Sequence, residues 1–106
     1  MSECIFCKII KKELKADIVF EDESIIAFND INPKAPVHIL IVPKKHIESI
    51  IKMKESDKEI IAELIWRAKE LAEERGLEGY KLVFNCGKKG GQEIDHIHLH
   101  LLANNS

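Results

Sequence analysis

Apolar residues change their spacing several times along this 106-residue chain, and each spacing marks an element. Ile5, Phe6, Ile9 and Ile10 lie on one face of a short helix within Cys4–Leu14. Ile18–Phe20 and Ile25–Asn29 flank the polar turn Glu21–Ser24 and predict a hairpin. The prolines of Asn32-Pro33-Lys34-Ala35-Pro36 predict a loop, since proline lacks an N–H and fixes φ. Val37–Val42 predicts a buried strand ended by Pro43. Ser56-Asp57-Lys58-Glu59 predicts a capping box opening a long helix. Ile60, Ile61, Leu64, Ile65, Ala68, Leu71 and Ala72 then recur at helical spacing, with Arg75 suiting the last turn and Gly76 the left-handed position beyond it. Tyr80–Cys86 and His96–Leu102 predict two further strands. The sum is an α+β domain over residues 1–106, with about five mostly antiparallel strands and one major helix packed on a face.

The last strand carries the strongest chemical signal. His96, His98 and His100 alternate with Ile97, Leu99 and Leu101, so period two places three imidazoles on one face and three aliphatics on the other. Each ring has two nitrogens that need partners and titrates near neutrality, which suits metal binding, nucleophilic attack or acid–base chemistry. His38, in the neighbouring candidate strand, is either a fourth ring beside this row or a satisfied core histidine.

Gly87, Gly90 and Gly91 precede the histidine strand. Such a turn can aim several backbone N–H groups at one anion, or can be an ordinary hairpin turn. Cys4-x-x-Cys7 offers two thiolates at the spacing of half a zinc tetrahedron, with His46 and His96 as candidate completing ligands. Two small buried thiols, or a redox pair, are the alternatives; the βαβ context of a redox motif is absent. Cys86 reads as a core thiol. The net charge of −2 argues against a nucleic-acid surface, and no apolar run reaches membrane-spanning length. No basic region followed by an apolar one opens the chain, which favours a cytoplasmic location with reduced cysteines.

Together these segments resemble the histidine triad (HIT) hydrolases, and specifically their Hint-like nucleoside-phosphoramidase branch. The matching pieces are Ile5-Phe6-x-Lys8-Ile9-Ile10, Asp30-Ile31-x-Pro33-x-Ala35-Pro36-x-His38, Pro43-Lys44-Lys45-His46, Asn85-x-Gly87, Gly90-Gly91-Gln92 and the His-x-His-x-His strand. They occur in the family's order over nearly the whole chain.

The resemblance implies a HIT-like fold and a homodimer, with helix 57–75 and strand 80–86 as its surface. It implies cleavage of purine nucleoside 5′-phosphoramidates or related AMP conjugates through a nucleotidyl-histidine intermediate. His98 would be the nucleophile, with His100 and His38 orienting it and donating hydrogen bonds. Asp30 would take the ribose hydroxyls. Phe6, Ile9, Ile18, Phe28, Ile31 and Leu40 would sandwich the base, with Ile9 and Ile18 open to a core role instead. Asn85, Gln92 and the backbone of Gly91 to Glu93 would hold the phosphate side. Structural zinc would sit on Cys4, Cys7, His46 and His96; the chemistry itself would need no cofactor. A dinucleoside polyphosphate hydrolase and a non-catalytic nucleotide-binding zinc protein are the alternatives. Two departures bear on the leaving group. Glu93 stands where members often carry serine or threonine, and Ala103-Asn104-Asn105-Ser106 follows Leu102 where many carry Gly-Gly-Arg.

Overall fold

Alternating side chains explain how one sheet comes to be covered on both faces. The computed structural model describes residues 4–104, so the opening three residues and the final two of the segments quoted above lie outside it. The described strands are β1 (Ile18–Glu21), β2 (Ile25–Asn29), β3 (Val37–Pro43), β4 (Lys81–Val83) and β5 (Leu99–Ala103), in the sheet order β1-β2-β3-β5-β4. Every neighbouring pair is antiparallel. The helices are α1 (Ile5–Ile10) and α2 (Lys58–Glu74).

On one face, Ile25, Ala27, Ile39, Ile41, Leu99 and Leu101 pack with Leu64, Ala68, Leu71 and Ala72 of α2. On the other, Ile26, Phe28, Leu40 and Val42 pack with Phe6 and Ile9 of α1. β2 and β3 are therefore buried on both sides, which is why they read as continuous apolar runs. The final segment keeps its period-two alternation: Ile97, Leu99 and Leu101 join the α2 face, while His98 and His100 turn toward the α1 face, where Phe6 meets His98 edge-on at a centroid distance of 5.0 Å.

α2 ends as its sequence predicts. Gly76 takes φ +67°, its N–H bonds Glu73 O at 3.1 Å, and Leu77 N–H bonds Ala72 O at 3.0 Å. These paired bonds satisfy carbonyls that the last turn leaves open. The hairpin turn also behaves as read: Asp22 Oδ1 accepts from the N–H groups of Ser24 and Ile25, both at 2.8 Å.

Four local readings change. The start of α2 uses Asp57 rather than a Ser56–Glu59 box: a short 3₁₀ turn at Glu55–Asp57 precedes the helix, and Asp57 Oδ2 accepts from Lys54 N–H at 3.0 Å. Its other oxygen takes Lys45 Nζ at 2.7 Å. The strand expected at 80–86 pairs over Lys81–Val83 alone, because β5 offers it partners from His100 to Leu102. The ladder of β5 begins at Leu99, so His96 and His98 lie on its entry segment. Ile18 is half-exposed on β1 and stands outside the cleft that holds the histidines. No described helix is long and apolar enough to cross a membrane.

Candidate functional site

Two clusters grow from the same histidine row. The first gathers Cys4, Cys7, His46 and His96. Cys4 caps α1, its Sγ accepting from Cys7 N–H at 3.2 Å, so the first turn of the helix holds both sulfurs together, 3.1 Å apart. The His46 and His96 Nδ1 atoms lie 3.1 Å apart and 3.2–3.7 Å from the sulfurs. A tetrahedral zinc ion with ordinary Zn–S and Zn–N bonds has ligand–ligand edges of about 3.3–3.8 Å. The four donors thus suit one tetrahedral divalent ion.

The tautomer of His96 suits it too. His96 Nε2 lies 2.8 Å from Pro43 O, a pure acceptor, so that nitrogen carries the proton. Nδ1 is left as a lone pair facing the sulfurs, the arrangement that outer hydrogen bonds impose on metal-bound histidines. Burial is complete at His96 and holds the ring neutral, its pKa pushed down to about 4.

The second cluster lines a cleft of about 1220 Å³ on the α1 face of the sheet. His98, His100 and His38 share its wall with Phe6, Ile9, Phe28, Asp30, Ile31, Leu40, Asn85, Gly91 and Glu93. Sheet register explains the assembly: His100 on β5 pairs with Leu40 on β3 and with Val83 on β4, and His38 lies one pleat from Leu40.

His98 Nδ1 lies 2.7 Å from His96 O. The carbonyl can only accept, so Nδ1 carries the proton and Nε2 keeps the lone pair. Burial lowers the His98 pKa, partly offset by that hydrogen bond and by the nearby carboxylates of Asp30 and Glu93. A neutral ring with a free Nε2 is a nucleophile at ordinary pH. His38 Nε2 sits 2.9 Å from His100 Nδ1 and 3.4 Å from Asp30 Oδ2. Burial lowers the His38 pKa, and burial with the neighbouring rings of His98 and His38 pushes His100 down to about 4.

Asp30 also accepts from Asn32 N–H through Oδ1, at 2.8 Å. Ile31 is 90% exposed at the cleft rim, a large apolar surface with nothing packed on it.

The glycine-rich turn departs from the expected anion nest. Gln92 is buried and faces away from the cleft: its Oε1 accepts from Gly87 N–H at 2.9 Å, and its Nε2 donates to Glu48 O and Ile94 O at 2.8 and 2.9 Å. The N–H groups of Gly90, Gly91 and Gln92 bond carbonyls within the turn, each at 3.0 Å. These donors close the loop on itself. Glycine is required at positions 87 and 91, where φ is +78° and +92°. Gly91 brings the turn against the Asn85 side chain, 3.9 Å from where a Cβ would stand. Sequence reasoning passed over Lys34, whose backbone N–H donates to His38 Nδ1 at 3.0 Å. The Lys34–His38 spacing of four falls in an irregular proline-bounded loop, where no periodicity signals such a contact.

Comparison with known proteins agrees with this architecture. The family described as "Scavenger mRNA decapping enzyme C-term binding" matches residues 3–106. The chain is 41% identical to Protein HitA of Neisseria gonorrhoeae over 104 residues, covering 97% of each. It is 49% identical over 105 residues to a 14 kDa zinc-binding protein of Zea mays, covering 96% of this chain and 82% of that one. The crystal structure of a HIT family hydrolase from Legionella pneumophila Philadelphia 1 superimposes with a TM-score of 0.94 at 52% identity, covering 98% of this chain and 95% of that one. The fold and the paired clusters define a histidine-triad protein. The chain belongs to the HIT family.

Proposed function

We propose that the protein is a nucleotide hydrolase that cleaves purine nucleoside 5′-phosphoramidates or related AMP conjugates. One observation carries this reading: His98, pinned by a carbonyl at Nδ1, offers an unprotonated Nε2 in a cleft with an apolar floor. The similar hydrolase from Legionella pneumophila supports the reaction class.

In this reading Phe6, Phe28, Ile31 and Leu40 enclose the base and Asp30 accepts from the ribose hydroxyls. The Nε2 lone pair of His98 forms a bond to phosphorus. The bond from phosphorus to the leaving atom breaks, and its electron pair departs with that atom, which takes a proton from solvent. Water then attacks phosphorus and gives up a proton to solvent, the P–Nε2 bond breaks with its electron pair returning to Nε2, and the nucleoside monophosphate leaves. His100 contributes a hydrogen bond from Nε2–H to a phosphoryl or leaving-group oxygen or nitrogen. Asn85 and the backbone N–H of Glu93 complete the phosphate side, positioning and charge stabilisation being most of what phosphoryl-type transfer needs. The Glu93 carboxylate at the rim repels a polyphosphate leaving group, which favours amide conjugates over dinucleoside polyphosphates.

Zinc is the ion we assign to the cysteine cluster, supported by the donor set and by the similar zinc-binding protein of Zea mays. Bound there, it would cross-link α1, the segment after β3 and the entry to β5. Phe6, between the two cysteines, would then be held against His98. A homodimer through α2 and the edge strand β4 completes the reading; Trp66, Tyr80 and Leu82 are exposed there.

The test is release of AMP from adenosine 5′-phosphoramidate by the zinc-loaded protein, compared with His98→Ala. Turnover by the wild-type chain and none by the variant is the expected result. Equal rates in both would refute the nucleophile, and tight AMP binding without turnover would favour a non-catalytic nucleotide-binding protein.

A further inference from the structure

We propose that the backbone amide of Lys34 is a positioning group that sets the proton arrangement of the His38–His100 pair. An amide N–H can only donate, and this one lies 3.0 Å from His38 Nδ1. That nitrogen therefore carries a lone pair, and the proton of the neutral ring sits on Nε2. Nε2–H points to His100 Nδ1 at 2.9 Å, with Asp30 Oδ2 at 3.4 Å as a second acceptor. His100 Nδ1 must then accept, and the His100 proton is forced onto Nε2. That buried nitrogen has no hydrogen-bond partner among the described residues, although its ring lines the cleft.

The chain of hydrogen bonds thus has one direction, from the Lys34 amide through two rings to an unpartnered donor beside His98. The opposite direction would set Nδ1–H of His38 against the amide N–H, two donors in contact. That reverse arrangement leaves two donors unpaired, the amide and Nδ1–H, whereas the proposed one leaves a single donor, His100 Nε2–H, at the wall of the cleft. The loop is suited to hold the amide in place, since Pro33 and Pro36 on either side have restricted φ. The same logic separates Asp30, His38 and His100 from the cysteine cluster. Their donor atoms lie close enough for an ion, but His38 Nε2 carries a proton where a ligand needs a lone pair.

The consequence for turnover rests on the hydrolase reading; the ring protonation does not, and it can be read without substrate. The experiment records ring ¹⁵N–¹H correlations of histidine-labelled, zinc-loaded protein at neutral pH. The expected spectrum shows Nδ1 unprotonated and Nε2 protonated in both His38 and His100. Lys34→Ala, which keeps the amide N–H, should leave the spectrum unchanged. Lys34→Pro, which lacks it, should spread His38 over both tautomers and remove the protonated Nε2 signature of His100. It should lower kcat about tenfold or more, as expected when a hydrogen-bonding catalytic ring is misprotonated, with KM within about twofold. A wild-type His100 carrying its proton on Nδ1 would overturn the proposal, as would a folded Lys34→Pro with the wild-type pattern. If Lys34→Pro does not fold, the wild-type spectrum alone decides. Absence of turnover in a protein with the expected spectrum would overturn the hydrolase reading and leave this one standing.

Discussion

His96 and His98 are two residues apart on one segment, yet they present opposite nitrogens to opposite chemistries. At His96 the carbonyl of Pro43 holds Nε2–H, so Nδ1 faces two sulfurs and another imidazole. At His98 the carbonyl of His96 holds Nδ1–H, so Nε2 is left for the cleft. Both rings are buried and kept neutral, so charge does not distinguish them. The difference is which ring nitrogen a backbone oxygen occupies and what the free one meets. In the proposed function, identical side chains serve as a structural ligand and a nucleophile through hydrogen bonds made outside the reacting atoms.

The sharpest way to break this contrast is to remove one ring nitrogen's function at a time. His98→Ala should lower kcat on a phosphoramidate by about 1000-fold or more, as expected for a lost nucleophile. Bound metal, measured by elemental analysis, should stay at the wild-type level. Cys4→Ser combined with Cys7→Ser should do the reverse: metal content falls to background and the Tm drops by about 10 °C or more, a loss near 2 kcal/mol in a domain of this size. Turnover should persist at a temperature where the fold holds, with KM raised because Phe6 is no longer anchored beside His98. A variant that loses metal and keeps its Tm would remove the structural role from the cysteine cluster.

Acidity sharpens the comparison from another side. A ring whose folded pKa is about 4 and whose unfolded value is 6.5 takes up a proton on unfolding between those values. Stability is therefore complete above about pH 6.5 and declines as the pH falls toward 4. Thermal melts of metal-free protein across that range should show the decline, and His100→Asn should make it shallower, with the contribution of His96 remaining. A smaller effect is expected at Gln92. Gln92→Ala strands the Gly87 N–H and two carbonyls, lowering stability by about 1–3 kcal/mol in denaturant melts. A loss of kcat without loss of stability would instead return this side chain to the phosphate site.

The glycine turn and the histidine row differ in how much their sequences disclose. Period two in the row survives folding because strand geometry is local, and it correctly puts Ile97, Leu99 and Leu101 on the α2 side. The Gly-Gly-Gln segment correctly signals a tight turn with positive φ, yet its N–H groups and amide are spent on closing the loop. Donor counting along a sequence cannot show which donors remain, since Glu48 O comes from 44 residues away. The same holds for β4, whose length depends on how much of β5 is left to pair. It holds for Asp57, which displaces the expected cap because Lys45 reaches it from another segment.

By itself the sequence determined the elements with local causes: the hairpin turn at Asp22, the helix ending at Gly76, the alternation of the terminal strand and the thiol spacing at the start of α1. The tertiary structure decided the protons. Pro43 O and Lys34 N–H are brought to their rings by sheet pairing and loop closure, and each fixes the character of the ring's other nitrogen: a lone pair at His96 Nδ1, a donor at His38 Nε2. An imidazole is symmetric enough in sequence to be ligand, donor or nucleophile, and it becomes one of them when folding gives its other nitrogen a partner.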